Sequence, residues 1–212
     1  RLARVRQELQ ASDMAAALFF DPINIRYATD SSNMQVWTLH NPARYVLVTT
    51  SGPVILWEFH GAKHLAQDLP LVTDVRVGTP WFHFAAGDQS HSKAKEFAAE
   101  IALEIQHHGG GNRRIAVDRV DTIGTLSLMA EGLIIEDGMA LAERARLIKS
   151  EDEIAAMRIA VAACEEGVRR MRSALRPDIT ENALWSLLHQ TNIELGGEWI
   201  MTRLLNSGYR TN

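Results

Sequence analysis

Residues 19–48, FFDPINIRYATDSSNMQVWTLHNPARYVLV, constrain the fold more than any other part of the chain. An apolar run over 15–20 reads as a buried strand that breaks at Asp21-Pro22, where proline fixes φ and suits the first turn of a helix. A polar segment, Thr29-Asp30-Ser31-Ser32-Asn33, follows, and the chain returns to apolar strand over 45–48. Between the two lies a polar and aromatic cluster of Asn33, Gln35, Trp37, His40, Asn41 and Arg44. A core has little use for that mixture, because each buried polar atom needs a partner. Two readings stay open: a binding surface, or a well-bonded loop around one tryptophan anchor.

The elements around this stretch alternate. Leu2, Val5 and Leu9 share one helical face, which predicts an amphipathic helix over 1–11. Strands are expected over 44–50 and 54–57, joined by Ser51-Gly52-Pro53 as a short hairpin connection. A helix over 61–67 and a strand over 71–77 come next. The loop over 79–90 carries Trp81, Phe82, His83 and Phe84, read as core plugs rather than substrate-lining groups. Phe97, Ile101 and Ile105 recur four apart in a helix over 92–107. His107 and His108 at its end suit the helix dipole, and Gly109-Gly110-Gly111 is a turn; it lacks the Lys and Ser/Thr of a phosphate loop. A strand over 114–118, a helix over 122–131 and a strand over 133–136 complete an α/β domain.

Beyond it the pattern changes. A helix over 140–148 leads to Ser150-Glu151-Asp152-Glu153, the sequence of a capping box. Ile154, Met157, Val161, Cys164, Val168, Met171 and Leu175 then recur at steps of three and four, giving one long helix with a continuous apolar seam. Cys164 on that seam reads as a small buried hydrophobe. Pro177-Asp178 breaks the chain, Thr180 caps a second helix that stops at Gly196-Gly197, and 198–206 reads as a strand. Two helices and one strand cannot bury their own faces, so the expected organisation is a domain over 1–147 and an incomplete second one over 148–212.

Composition excludes several classes. A net charge of -4 gives no basic face for nucleic acid. No apolar run approaches the roughly 18 residues of a membrane span. A single cysteine rules out an internal disulfide framework and suits a reducing cytoplasm. No HExxH, GxSxG, paired CxxC or Walker loop is present, and no His, Asp and Glu fall at metal-ligand spacing.

Three segments nevertheless resemble one family, the creatinase/prolidase metalloenzymes: FDPINIRYAT at 20–29, ARLIKSEDEIAAMRIA at 145–160, and GGEWIMTRLLNSGYRTN at 196–212. The resemblance implies a creatinase-type N-terminal domain, a mixed sheet flanked by helices, followed by the first two helices and first strand of a pita-bread domain. Within the family, NMQVWTLHNPAR at 33–44 and the last segment look most like the dimethylsulfoniopropionate lyase branch. The family implies two divalent metal ions (Mn, Co, Zn or Fe) in a full-length parent, held by two Asp, one His and two Glu. None of these maps onto residues here, so no metal ligand is assigned and no metal is expected in this fragment. The family also implies a homodimer in which one subunit's N-terminal domain lids its partner's active site.

On that resemblance Trp37, His40 and Arg44 are the lid candidates. Arg44 would pair bidentately with a substrate carboxylate, and Trp37 would face an apolar or cationic group. The implied substrate is a small peptide or a small zwitterion, with no nucleic acid and no membrane. Xaa-Pro dipeptidase or aminopeptidase-like hydrolysis stands ahead of dimethylsulfoniopropionate lysis, and a non-catalytic dimerisation or binding module is the third reading.

Overall fold

Successive residues of a strand point to opposite faces, and here both faces are apolar, the mark of a sheet covered on each side. In β1 and its neighbours, Ala16, Leu18, Tyr45, Leu47, Ile55 and Trp57 enter one core, while Ala17, Phe19, Val46, Val48, Val54 and Leu56 enter the other. The computed structural model of the chain describes residues 1–211. It contains two units, Arg1–Ile148 and a second that begins at Lys149.

In chain order the first unit runs α1 (Leu2–Ala11), β1 (Ala16–Phe19), α2 (Pro22–Thr29), α3 (Gln35–Thr38), β2 (Tyr45–Thr49), β3 (Val54–Glu58), β4 (Asp74–Val77), α4 (His83–Ala86), α5 (Ser90–His108), β5 (Arg114–Val117), α6 (Thr122–Ala130), β6 (Ile134–Asp137) and α7 (Gly138–Leu147). The sheet order is β4-β3-β2-β1-β5-β6. β1 pairs antiparallel with β2, and β2 antiparallel with β3; the other neighbours are parallel. Five strands therefore point one way, and β2 alone points back. Phe97, Ile101 and Ile105 of α5 and Leu128 of α6 cover one face. Val5 and Leu9 of α1, Ile25 of α2 and Leu141 and Ala145 of α7 cover the other. The edge strands β4 and β6 are partly exposed and carry charge (Asp74, Arg76, Glu136, Asp137), which discourages pairing with another chain.

Several local expectations change. Residues 61–67 hold only a 3-10 turn, Lys63–Leu65, because Ala66 is the sole buried residue there and one contact cannot offset the cost of starting a helix. Trp81 is a core plug as expected, stacked on Phe97 at 4.1 Å, but Phe84 is 88% exposed on α4. Gly138 opens α7 where no other residue fits: a Cβ there would lie 2.5 Å from the Val117 carbonyl carbon and 2.6 Å from the Asp118 nitrogen.

The second unit consists of α8 (Glu151–Ala174) and α9 (Glu181–Glu194), packed on each other. Ser150 and Glu153 form the expected capping box, and the Thr180 side chain caps α9. The helices approach at Gly167, where an added Cβ would meet Leu188 Cδ1 at 2.5 Å. The apolar seam of α8 is not covered within the described residues: Met157, Val161 and Val168 are each more than half exposed, and Cys164 is exposed rather than buried. Residues 198–206 form no strand, for their backbone groups find no ladder partner among the described residues. Asn212, the last residue of that expected domain, lies outside the described residues.

Candidate functional site at the carboxyl edge of the sheet

Because five strands share a direction, their carboxyl ends meet along one edge, and β2 starts at the same edge. The chain thereby brings together Phe20 and Asp21 after β1, Arg44 before β2, Glu58 closing β3, Trp81 after β4, and Asp118 to Asp121 after β5. Open α/β sheets place ligands at this edge, where strand order reverses direction in sequence. The reversal here falls at β1, between the β1–β4 run and the β5–β6 run.

Two carboxylates organise the edge. The Asp118 carboxylate accepts from the backbone N–H of Phe20 at 2.7 Å, the backbone N–H of Asp21 at 3.1 Å and the Asn24 amide at 2.9 Å, tying the ends of β1 and β5 together. Burial pushes its pKa up to about 6, against the opposing pull of those three hydrogen bonds, and nearby Asp21 adds to the rise. Asn24 Oδ1 is buried with no hydrogen-bond partner among the described residues. Asp21 caps α2 through the Ile23 N–H, as its position before proline implies, and sits 3.5 Å from the Arg119 guanidinium.

Glu58 is the second. Its Oε1 accepts from Arg44 Nε at 2.5 Å; its Oε2 accepts from the Asn33 amide at 3.2 Å and from the Phe59 backbone N–H at 3.3 Å. Arg44 is 1% exposed and Glu58 0%, so this ion pair is dry. Arg44 Nη2 also donates to Ser31 Oγ. Burial pulls the Arg44 pKa down, and Glu58 holds it up. Arg44 thus lies beneath the edge rather than on its surface, its Nε engaged by Glu58 and its Nη2 by Ser31.

Trp37 and His40 do reach the surface of this edge. Trp37, half-buried on the one-turn helix α3, packs edge-on against Phe59 (5.2 Å between ring centres) and Phe82 (5.7 Å). His40 is exposed and lines a cleft of about 220 Å3 with Phe20, Thr38, Asn41, Arg119 and Asp121. Asp121 is fixed by the Trp81 indole N–H at 2.9 Å and caps α6 through the Gly124 N–H at 2.7 Å. Of the three expected residues, then, two line the edge and one lies beneath it. Sequence reasoning missed Glu58 and Asp118. Each is an acidic residue at the end of a strand, VILWE and RIAVD, a pattern that does not by itself distinguish a buried carboxylate from a solvent-facing one.

A metal pair does not fit here. Among the described residues no three His, Cys, Asp or Glu side chains are grouped so as to hold a metal ion. Nor is any described helix long and apolar enough to cross a membrane.

A mixed six-stranded sheet with helices on both faces, followed by a long capped helix, is the architecture of a creatinase-type N-terminal domain. Residues 1–159 match the Creatinase/Prolidase N-terminal domain profile, and the chain belongs to that family. Across its whole length it is 44% identical to the dimethylsulfoniopropionate lyase DddP of Roseovarius nubinhibens, covering 49% of that protein. It is equally similar, at 44%, to the DddP of Roseobacter denitrificans, covering 48% of it. The chain thus spans about half the length of the curated relatives it matches. Among solved structures, the Xaa-Pro dipeptidase of Bacillus anthracis superposes with a TM-score of 0.68 at 14% identity, over 92% of this chain and 48% of the other. The prolidase of Thermococcus sibiricus gives 0.69 at 14% identity, over 93% and 50%. These structures share the fold.

Proposed function

We propose that this chain is the N-terminal half of a dimethylsulfoniopropionate lyase of the creatinase/prolidase family, and that its Trp37–His40 loop lids the active site of a second copy. The observation that carries the reading is 44% identity to two such lyases over the full chain, against 14% to the peptidase structures. That contrast reverses the order drawn from sequence, where Xaa-Pro hydrolysis stood first. The domain division at 147/148 is part of the reading. So is a cytoplasmic setting, which one cysteine suits. The metal pair belongs, on this reading, to the part of the relatives that the chain does not span.

The substrate of such a lyase carries a sulfonium cation and a carboxylate. Elimination removes a proton from the carbon beside the carboxylate and breaks the carbon–sulfur bond, so that dimethyl sulfide leaves with the bonding pair and acrylate forms. Trp37 offers an aromatic face for the sulfonium, with Phe59 and Phe82 holding its ring edge-on. The exposed imidazole of His40 stands nearby for the polar end. A lid that contacts the non-reacting parts of a substrate excludes water and fixes its orientation.

The test uses the full-length gene product with added divalent metal. One arm measures dimethyl sulfide over a dimethylsulfoniopropionate solution by gas chromatography; the other measures proline released from an Xaa-Pro dipeptide. Dimethyl sulfide without proline supports the proposal. Proline without dimethyl sulfide replaces it with the hydrolase reading, and neither product replaces it with a binding module.

A further inference from the structure

Glu58 has no role in the chemistry outlined above, yet its carboxylate is the only group in the described network that touches both ends of the Trp37 loop and the floor beneath it. At the loop entry it accepts from Asn33; at the exit it pairs with Arg44, which also reaches back to Ser31. Its Oε2 further accepts from the backbone of Phe59, the ring on which Trp37 rests. A loop closed only by surface bonds fluctuates among many conformers, whereas one whose two ends share a dry charge cannot open without stranding that charge.

We infer that Glu58 is a positioning residue: it holds the segment between Asn33 and Arg44 in the one conformation that presents Trp37 and His40 at the carboxyl edge. The inference rests on the lid reading for its catalytic consequence, but not for its structural part. Arg44 is the counter-charge that keeps the Glu58 carboxylate in place, and Asn33 transmits the hold to the loop. Substrate enters this account only through Trp37 and His40. Disturbing the clamp therefore weakens the capture of substrate and leaves the elimination step intact. Such a change shows as a higher KM at nearly constant kcat, the pattern of lost uniform binding.

Two variants of the full-length gene product test this. Asn33→Ala removes the tie to the loop and leaves the Arg44–Glu58 pair whole, so the fold is kept; Glu58→Gln keeps the shape and removes the charge. Chymotrypsin under native conditions reads the loop directly, since Trp37 and Leu39 are its cleavage points there. For Asn33→Ala the expected result is nicking about tenfold faster and a comparable rise in KM for dimethylsulfoniopropionate, the weight of one hydrogen bond to a charged group. The melting temperature of Asn33→Ala falls by only about 3–5 °C, as the loss of one such bond requires, and Glu58→Gln shows the same changes, larger, with a greater loss of stability because Arg44 keeps its buried charge. Nicking and KM both unchanged in Asn33→Ala would overturn the inference. Faster nicking at constant KM would overturn the positioning role and leave a structural clamp. If the wild-type protein turns over no substrate, the lyase reading falls, and the nicking rates alone decide whether Glu58 holds the loop.

Discussion

In the sheet unit, Arg44 and Glu58 sit fully enclosed, 1% and 0% exposed, while in the helical unit Met157, Val161 and Val168 stand 55%, 56% and 54% exposed. The helical unit keeps its charges outside: Glu166 binds Arg169 at 2.6 Å and Arg170 at 2.7 Å along one solvated face. Those arginines hold the Glu166 pKa down to about 2, yet pairs so exposed to water contribute little to stability. The difference follows from coverage. A sheet packed on both faces creates a volume from which water is excluded, and a charge held there has a sharply defined geometry because the alternatives are costly. Two helices sharing one contact strip create no such volume. The first unit encloses a charge pair and the second leaves a continuous apolar seam uncovered among the described residues, so the two should respond to substitution in opposite ways.

The largest effect is expected at the enclosed pair. Glu58→Ala leaves the Arg44 guanidinium buried without its partner, which costs about 3–5 kcal/mol of unfolding free energy by chemical denaturation. Replacing both together, Arg44→Met with Glu58→Met, recovers most of that loss. A single variant that costs less than about 1 kcal/mol would break the contrast, because Arg44 would then have water within reach.

A smaller effect is expected at Asp118, whose folded pKa of about 6 lies above the roughly 3.9 of an unfolded aspartate. A group whose pKa is raised by folding contributes its full stability below the unfolded value and loses it as pH rises through the folded one. Between about pH 4 and about pH 6, Asp118 thus lowers stability by something on the order of 2 kcal/mol, after allowance for the open part of the residue. In Asp118→Asn this portion of the pH dependence is absent. A variant whose stability declines over that interval as steeply as wild type would assign the slope to another group. The unpartnered Asn24 Oδ1 fits the protonated form, since a rotated amide would let it accept from the Asp118 hydroxyl.

The smallest effect on stability, and the clearest on behaviour, is expected along α8. The 212-residue chain should bind an apolar dye and self-associate through its uncovered seam. Val161→Lys with Val168→Lys should abolish both at an unchanged melting temperature, as read by dye fluorescence and sedimentation. A large loss of stability instead would mean that the seam is packed in solution and the contrast between the units is weaker than drawn.

How much of this was legible in the sequence follows the same division. The strands, the stripe of α5, the proline-led start of α2 and the capping box were readable because each is encoded within a few residues. The strand expected over 198–206 was not readable correctly, since a strand exists only with a partner and sequence pattern does not supply one. Trp37 and His40 stood out as odd residues for a core, and the structure does place them at a surface. Arg44 stood out for the same reason and lies buried instead, held by Glu58, 14 positions away on a different strand. A glutamate at the end of VILWE looks like an ordinary solvent-facing terminus until the hairpin brings β2 and β3 side by side. Long-range pairing of charges is a property of the fold, and local pattern carries no trace of it.

The reversed strand β2 has one more consequence. Since β1 leaves the sheet at the edge where β2 enters it, everything between Ser31 and Arg44 hangs from the same rim, its ends drawn together by the Ser31–Arg44 bond across 13 positions. The register of β1 against β2, from Ala16 opposite Thr49 to Phe19 opposite Val46, involves none of the intervening residues. Apart from Asn33, which is tied to Glu58, and Trp37, which rests on Phe59 and Phe82, that segment should accept new side chains without disturbing the pairing of the sheet that carries it. On the lid reading proposed above, a socket of this kind lets the substrate contacts be rewritten over a dozen or so positions while the sheet stays as it is.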